Sequence, residues 1–130
     1  MIYDLEMKPN FVVHFEIPVL DLDRAMAFYS EVFETSLTRE EVDGYQMAMF
    51  PVKDEGFGAS GALVQGDVYI PSTEGCFLYC GVESIDETMA RALANGGAEM
   101  YAKKSNGDLG WVAEIKDTEG NRIALHQPAS

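Results

Sequence analysis

Cysteine is scarce, with Cys76 and Cys80 the only two in 130 residues. If residues 76–82 form a strand, the two lie on one face about 13 Å apart at ~3.3 Å per residue. A disulfide spans Cα atoms within roughly 7 Å, so they cannot bridge each other. Two buried free thiols, as in a reducing cytosol, are expected. Basic residues are also few: nine Lys and Arg face 22 Asp and Glu, for a net charge of −13. A polyanion this strong repels phosphate backbones and anionic membrane surfaces, which argues against nucleic-acid partners and favours cationic ligands. No apolar run approaches the ~18 residues of a spanning helix. The opening MIYDLEMKPN has neither a basic n-region nor an apolar h-region, so no signal peptide is expected and a cytoplasmic setting is predicted. The rest of the composition, 47% hydrophobic and 24% charged, is that of a soluble globular domain. A chain of this length fits one domain and buries roughly 65–70% of its unfolded surface, so it needs no staple or metal for stability.

An internal repeat organises the chain. Displaced by 63 positions, HFEIPVLDLDRAMAF (14–28) falls on FLYCGVESIDETMAR (77–91), pairing Val19 with Val82, Leu22 with Ile85, Asp23 with Asp86 and Met26 with Met89. VKD at 52–54 meets IKD at 115–117, and after a one-residue slip ALVQ at 62–65 meets ALHQ at 124–127. This defines two modules, about 4–66 and 75–128, joined by GDVYIPSTEG at 66–75.

Each module has one coarse pattern. Residues 11–19 and 76–82 are β-branched and aromatic runs, hence strands. A helix follows each. In the first, Asp21 or Asp23 is the N-cap and Leu22, Ala25, Met26, Tyr29, Val32 and Phe33 recur at helical spacing. In the second, Ser84 and Glu87 have capping-box spacing, Ile85, Met89, Ala92 and Leu93 form the stripe, and Asn95-Gly96-Gly97 ends the helix. Three strands then follow in each half, at about 36–42, 45–51 and 59–65, and at 98–102, 111–116 and 122–127. DTEGN at 117–121 is turn chemistry. KKSNGDLG at 103–110 reads as a flexible loop, able to act as a lid. GFGASG at 56–61 lacks the lysine and helix start of a phosphate loop. The prediction is an α+β fold of two βαβββ modules.

Strand alternation assigns faces. Val13, Phe15, Ile17 and Val19 pack under the helix, leaving Val12, His14, Glu16 and Pro18 opposite. In the second module Leu78, Cys80 and Val82 go to the helix, and Phe77, Tyr79 and Gly81 opposite. In the last strand Ile123 and Leu125 face the helix, while Arg122, Ala124 and His126 share the other side. Both histidines of the chain thus lie on the face away from the helices. A buried strand gains nothing from His14 and Glu16 unless partners, solvent or a ligand satisfy them. The structural alternative is a half-exposed, hydrogen-bonded histidine, a solvated Glu16, and an Arg122 paired with one of the 22 acids.

Paired βαβββ modules, VVHFEIPVLDLDRAMAFYSEVF and DTEGNRIALHQ resemble the vicinal oxygen chelate superfamily, which includes glyoxalase I, bleomycin-resistance proteins and extradiol dioxygenases. The resemblance covers essentially the whole chain. It implies two modules curling mixed sheets around a cleft, commonly in a homodimer. It also implies one divalent metal held by His, Glu or Gln from the first and last strands. Those positions fall on His14, on Ala62 (or Leu63 with a slip), on Phe77 and on Ala124. Only His14 can donate an electron pair, whereas a catalytic site needs about three protein ligands. The family's ordinary metal site is therefore expected to be missing.

Two classes of function follow. One is a metal-free binding protein holding a cationic or aromatic small molecule, with Phe77, Tyr79, Arg122 and His126 as ligand contacts and Tyr45, Phe57 and Trp111 as further walls. The other is an enzyme, a lyase, isomerase or dioxygenase, with Glu16 or a histidine as general base. A displaced divalent-metal site from His14, Glu16 and His126 is its metal-dependent form, since His14 and Glu16 lie about 6.6 Å apart along a strand. A domain serving only as an interaction partner is a third possibility, with no residue arguing for it.

Overall fold

The computed structural model describes residues 10–53 and 58–129. The first module runs β1 (His14–Val19), α1 (Leu22–Val32), β2 (Thr38–Val42), β3 (Tyr45–Met49) and β4 (Ser60–Gln65). The second runs β5 (Tyr79–Gly81), α2 (Ile85–Ala94), β6 (Ala98–Ser105), β7 (Trp111–Lys116) and β8 (Arg122–Gln127), with a 3-10 turn at Gly107–Leu109. Each module is a four-stranded mixed sheet, ordered β1-β4-β3-β2 and β5-β8-β7-β6. β1 pairs parallel with β4 and β5 with β8; the other pairs are antiparallel. β1 and β5 each have a neighbour on one side only.

The repeat seen in the sequence is a repeat in register. Glu16 faces Ala62 and Tyr79 faces Ala124, so a spacing of 63 in the first strands becomes 62 in the last, the one-residue slip. Gln65 and Gln127 close the equivalence. Each ends its module's last strand and accepts the first N–H of that module's helix, from Leu22 at 2.7 Å and from Ile85 at 2.8 Å. The side-chain caps Asp21 and Ser84, 63 residues apart, accept from Arg24 N and Glu87 N. Two otherwise orphaned helix N–H groups are thereby satisfied at each start.

One apolar core spans both modules, with Ile17, Val19, Leu22, Ala25, Phe28, Tyr29 and Val32 meeting Ile85, Met89, Ala92, Ala113, Ile115 and Leu125. Phe28 belongs to it although the periodic reading left it out. Leu93, expected in the α2 stripe, is 53% exposed, and Thr88 is buried in that arc instead. At 100° per residue Leu93 falls beyond the arc that Ile85, Met89 and Ala92 define. Several expectations about the second module also change. Cys76 precedes β5 and is exposed, because the strand is only three residues long. β6 continues to Ser105, so the expected loop at 103–110 begins with three residues of strand. Trp111 packs against the main core rather than lining a cleft, with the Lys103 ammonium 4.9 Å from its ring. β7 alternation explains it, since Ala113 and Ile115 share that face. Phe57 lies outside the described residues.

The modules are locked by the turn 117–121, three of whose polar side chains turn inward. Asp117, Glu119 and Asn121 are buried. Asp117 Oδ1 accepts from the N–H groups of Glu119, Gly120 and Asn121, and Oδ2 from the Tyr29 hydroxyl at 2.6 Å. Asn121 Nδ2 donates to Pro18 O. Glu119 takes the N–H groups of Leu20 and Asp21, both at 2.9 Å, and a two-pronged contact from the Arg24 guanidinium. The last turn of module two therefore caps the entry to the helix of module one.

Candidate functional site

On the face of the first sheet away from the helices, His14 Nε2 lies 3.4 Å from Glu16 Oε2. The Tyr69 hydroxyl, from the segment joining the modules, donates to Glu16 Oε1 at 3.1 Å. Partial burial and then this bond to the carboxylate raise the Tyr69 phenol above its usual range. The Tyr69 ring stands edge-on to Tyr45 at 5.2 Å, over a small floor of Met47, Ala62 and Val64. Sequence reasoning placed His14 and Glu16 on this face but missed Tyr69, which sits in an irregular segment with no periodicity to read.

On the second sheet, Arg122, Tyr79 and His126 share the corresponding face, with Phe77 just before β5. The Arg122 guanidinium carbon lies 5.2 Å from the Phe77 ring centre, and its Nε lies 3.3 Å from Glu114 Oε1 without the alignment of a hydrogen bond. The acid partner expected of Arg122 is thus Glu114. His126 Nε2 meets the carbonyl of Leu109 at 2.7 Å. His126 therefore does not turn to His14 and Glu16. Among the described residues no three His, Cys, Asp or Glu side chains converge as metal ligands. The displaced triad is not assembled. The family positions fare no better as a metal site. Ala62 and Ala124 are fully buried methyl groups with no lone pair, Phe77 is a hydrocarbon ring, and His14 stands alone among them.

A wide hollow lies elsewhere, between the open edges of β1 and β5. It is a groove of about 650 Å³ with Phe15, Ile17, Tyr29, Phe33 and Phe50 on one bank and Leu78, Tyr79, Cys80 and Gly81 on the other. Tyr79 is the one residue of the six expected site residues that lines it. The first bank is a continuous aromatic wall. Phe15 and Phe50 ring centres are 5.8 Å apart, Tyr29 and Phe50 5.9 Å edge-on, and Tyr29 and Phe33 5.7 Å stacked. Gly61 makes this wall possible, because a Cβ there would strike the backbone and ring of its partner Phe15. Tyr29 is fully buried, and desolvation together with the neighbouring Asp117 charge holds its phenol well above the usual range. Burial pushes the Cys80 thiol up to about 12, so it serves the groove as an apolar surface and not as a nucleophile.

A family model describing the glyoxalase/bleomycin resistance protein/dioxygenase superfamily matches residues 11–125. The chain belongs to that superfamily. Solved structures agree on the fold. A glyoxalase/bleomycin resistance protein/dioxygenase domain from Frankia sp. EAN1pec superposes with a TM-score of 0.71 at 21% identity, over 93% of this chain and 99% of that one. The trypanothione-dependent glyoxalase I of Leishmania major gives 0.67 at 23% identity, over 88% and 84%. A glyoxalase I variant from Zea mays gives 0.66 at 17% identity over 88% of this chain, which spans only 45% of that longer one. No curated protein matches the chain. Membership in the superfamily accounts for the paired modules, and among the described residues no helix is long and apolar enough to cross a membrane. It does not assign an activity, since one fold hosts many.

Proposed function

We propose that this superfamily member binds a small aromatic molecule in the groove between β1 and β5, without a metal at the family's positions. The observation that carries this reading is the four-ring wall of Phe15, Tyr29, Phe33 and Phe50 facing Tyr79 across an open hollow. Such rings prefer centroid separations of about 4.5–7 Å in offset or edge-on packing, and an incoming ring extends the series. A volume of about 650 Å³ suits a small organic ligand.

The test is calorimetric titration with 2-naphthylacetamide, a neutral aromatic probe. Saturable binding at one molecule per chain is expected, unchanged by a chelator. Phe50→Ala should weaken it about tenfold or more, consistent with loss of a partly buried ring from the site. Phe50 also touches the core, so Tyr79→Ala, at a side chain 53% exposed, is the companion variant and should weaken binding with an unchanged melting temperature.

A second reading, proton transfer by His14 and Glu16, draws support from the Tyr69 hydroxyl that holds the carboxylate. The two readings separate cleanly, because neither His14 nor Glu16 lines the groove. His14→Ala leaves probe affinity unchanged in the first. A loss of binding in that variant, or no saturable binding to the native chain, would overturn the groove as the ligand site.

A further inference from the structure

The groove has a chemical polarity that narrows the class of its ligand, an inference that rests on the aromatic-ligand reading above. Among its described lining residues Lys53 is the only one with a formal charge, and none of them is an Asp or Glu. Lys53 makes no ion pair with another described residue, whereas Arg24, Arg39, Arg91, Lys103 and Arg122 all do. In a chain with 22 acids and nine bases, described lining residues that include one lysine and none of the acids run against the composition. The charge of −13 attracts cations at long range, but none of the described lining residues is an acid that would pair with them.

The backbone adds donors to the same hollow. Leu78 gives its carbonyl to Ala124 N and Val82 its N–H to His126 O, both across to β8. Residues of a parallel strand alternate the side to which their amide groups point. Tyr79 and Gly81, between those two, therefore turn their N–H and C=O groups to the free edge of β5, and both line the groove. The Ser60 hydroxyl, by contrast, is already committed to Pro51 O at 2.8 Å.

We propose that the ligand is an aromatic carboxylate, its ring against the Phe15–Phe50–Tyr29–Phe33 wall and its carboxylate at the Lys53 ammonium. The edge N–H groups of β5 are available to a further acceptor on the same molecule. A neutral aromatic is held by the wall alone. An aromatic ammonium meets Lys53 as a like charge.

The test compares three probes of one shape on the full chain at low salt: 2-naphthylacetate, 2-naphthylacetamide and 2-(2-naphthyl)ethylammonium. The carboxylate should bind about fivefold more tightly than the amide, the scale of a partly exposed ion pair, with the ammonium weakest. In Lys53→Gln the carboxylate and the amide should converge, and ~0.5 M salt should narrow the gap in the native chain. Lys53 is exposed between β3 and β4, and an unchanged melting temperature checks that the variant folds. Equal affinity for carboxylate and amide, tightest binding of the ammonium, or a carboxylate preference that survives Lys53→Gln overturns the proposal while the aromatic reading stands. If none of the three binds, the aromatic reading falls and the carboxylate proposal falls with it.

Discussion

At the scale of single residues, Glu119 does more than its place in a turn suggests. Its side chain is fully buried against an Arg24 that remains half-exposed. Burial alone would raise the carboxyl, but donors from Arg24, Thr118 and the N–H groups of Asp21 and Leu20 outweigh it and hold the group at about 2 against the usual 4.5. The folded value lies below the unfolded one, so the stabilisation is complete above about pH 4.5 and is lost as pH falls toward 2. Its size is of order 3 kcal/mol. Glu119→Gln should destabilise the native chain by that order in urea melts at pH 7, and the gap between the two proteins should close between pH 4.5 and 2. A constant gap across that range would show that the charge contributes nothing. The sequence identified residues 117–121 as a turn, and polar turn residues are ordinarily solvated. Nothing local marks a partner 95 positions away. One clue was present, since a tyrosine placed in a helix's buried stripe needs an acceptor for its hydroxyl, and Asp117 is the acceptor that Tyr29 finds.

Among the elements, period-two and helical patterns made nearly all strands and both helices legible, because each buries one face and solvates the other. β7 and β8 fall where the pattern puts them. Errors cluster where tertiary pairing decides: β1 begins at His14 rather than residue 11, because its parallel partner β4 begins opposite it at Ser60, and β5 shrinks to three residues although β8 runs on to Arg122. The matched ALVQ and ALHQ ends were visible as similarity but not as helix caps. They carry a symmetrical prediction. Gln65→Leu and Gln127→Leu should each cost about 1 kcal/mol, typical of a lost cap hydrogen bond. The double variant should lose the sum, since the two caps serve different modules. Denaturant unfolding reads the cost, and faster amide exchange at Leu22 or Ile85 should identify which helix start has loosened in each single variant.

On the scale of the whole molecule, the excess of 13 negative charges opposes compaction. Melting temperature should therefore rise between ~0.02 and ~0.5 M sodium chloride as screening shortens to a few ångströms. Glu119→Gln should show a similar salt slope, because the variant still carries an excess of 12 negative charges. A flat or falling curve would place the important charges in attractive networks instead. The candidate site was only half legible at this scale. Alternation within a strand tells which face His14 or Tyr79 occupies, but the groove arises between two edge strands over 60 residues apart in sequence. Only packing reveals that Tyr79 joins the Phe15 wall while His126 stays with Leu109. The lock at 117–121 also has a consequence for how the chain is made. On a ribosome adding ≈ 5–20 residues each second, the N–H groups of Leu20 and Asp21 emerge several seconds before residue 119 is synthesised. Until then α1 begins without that acceptor, and Tyr29 has no carboxylate. The first half of the nascent polypeptide is thus obliged to wait for nearly the last, and its two similar halves mature as a single event.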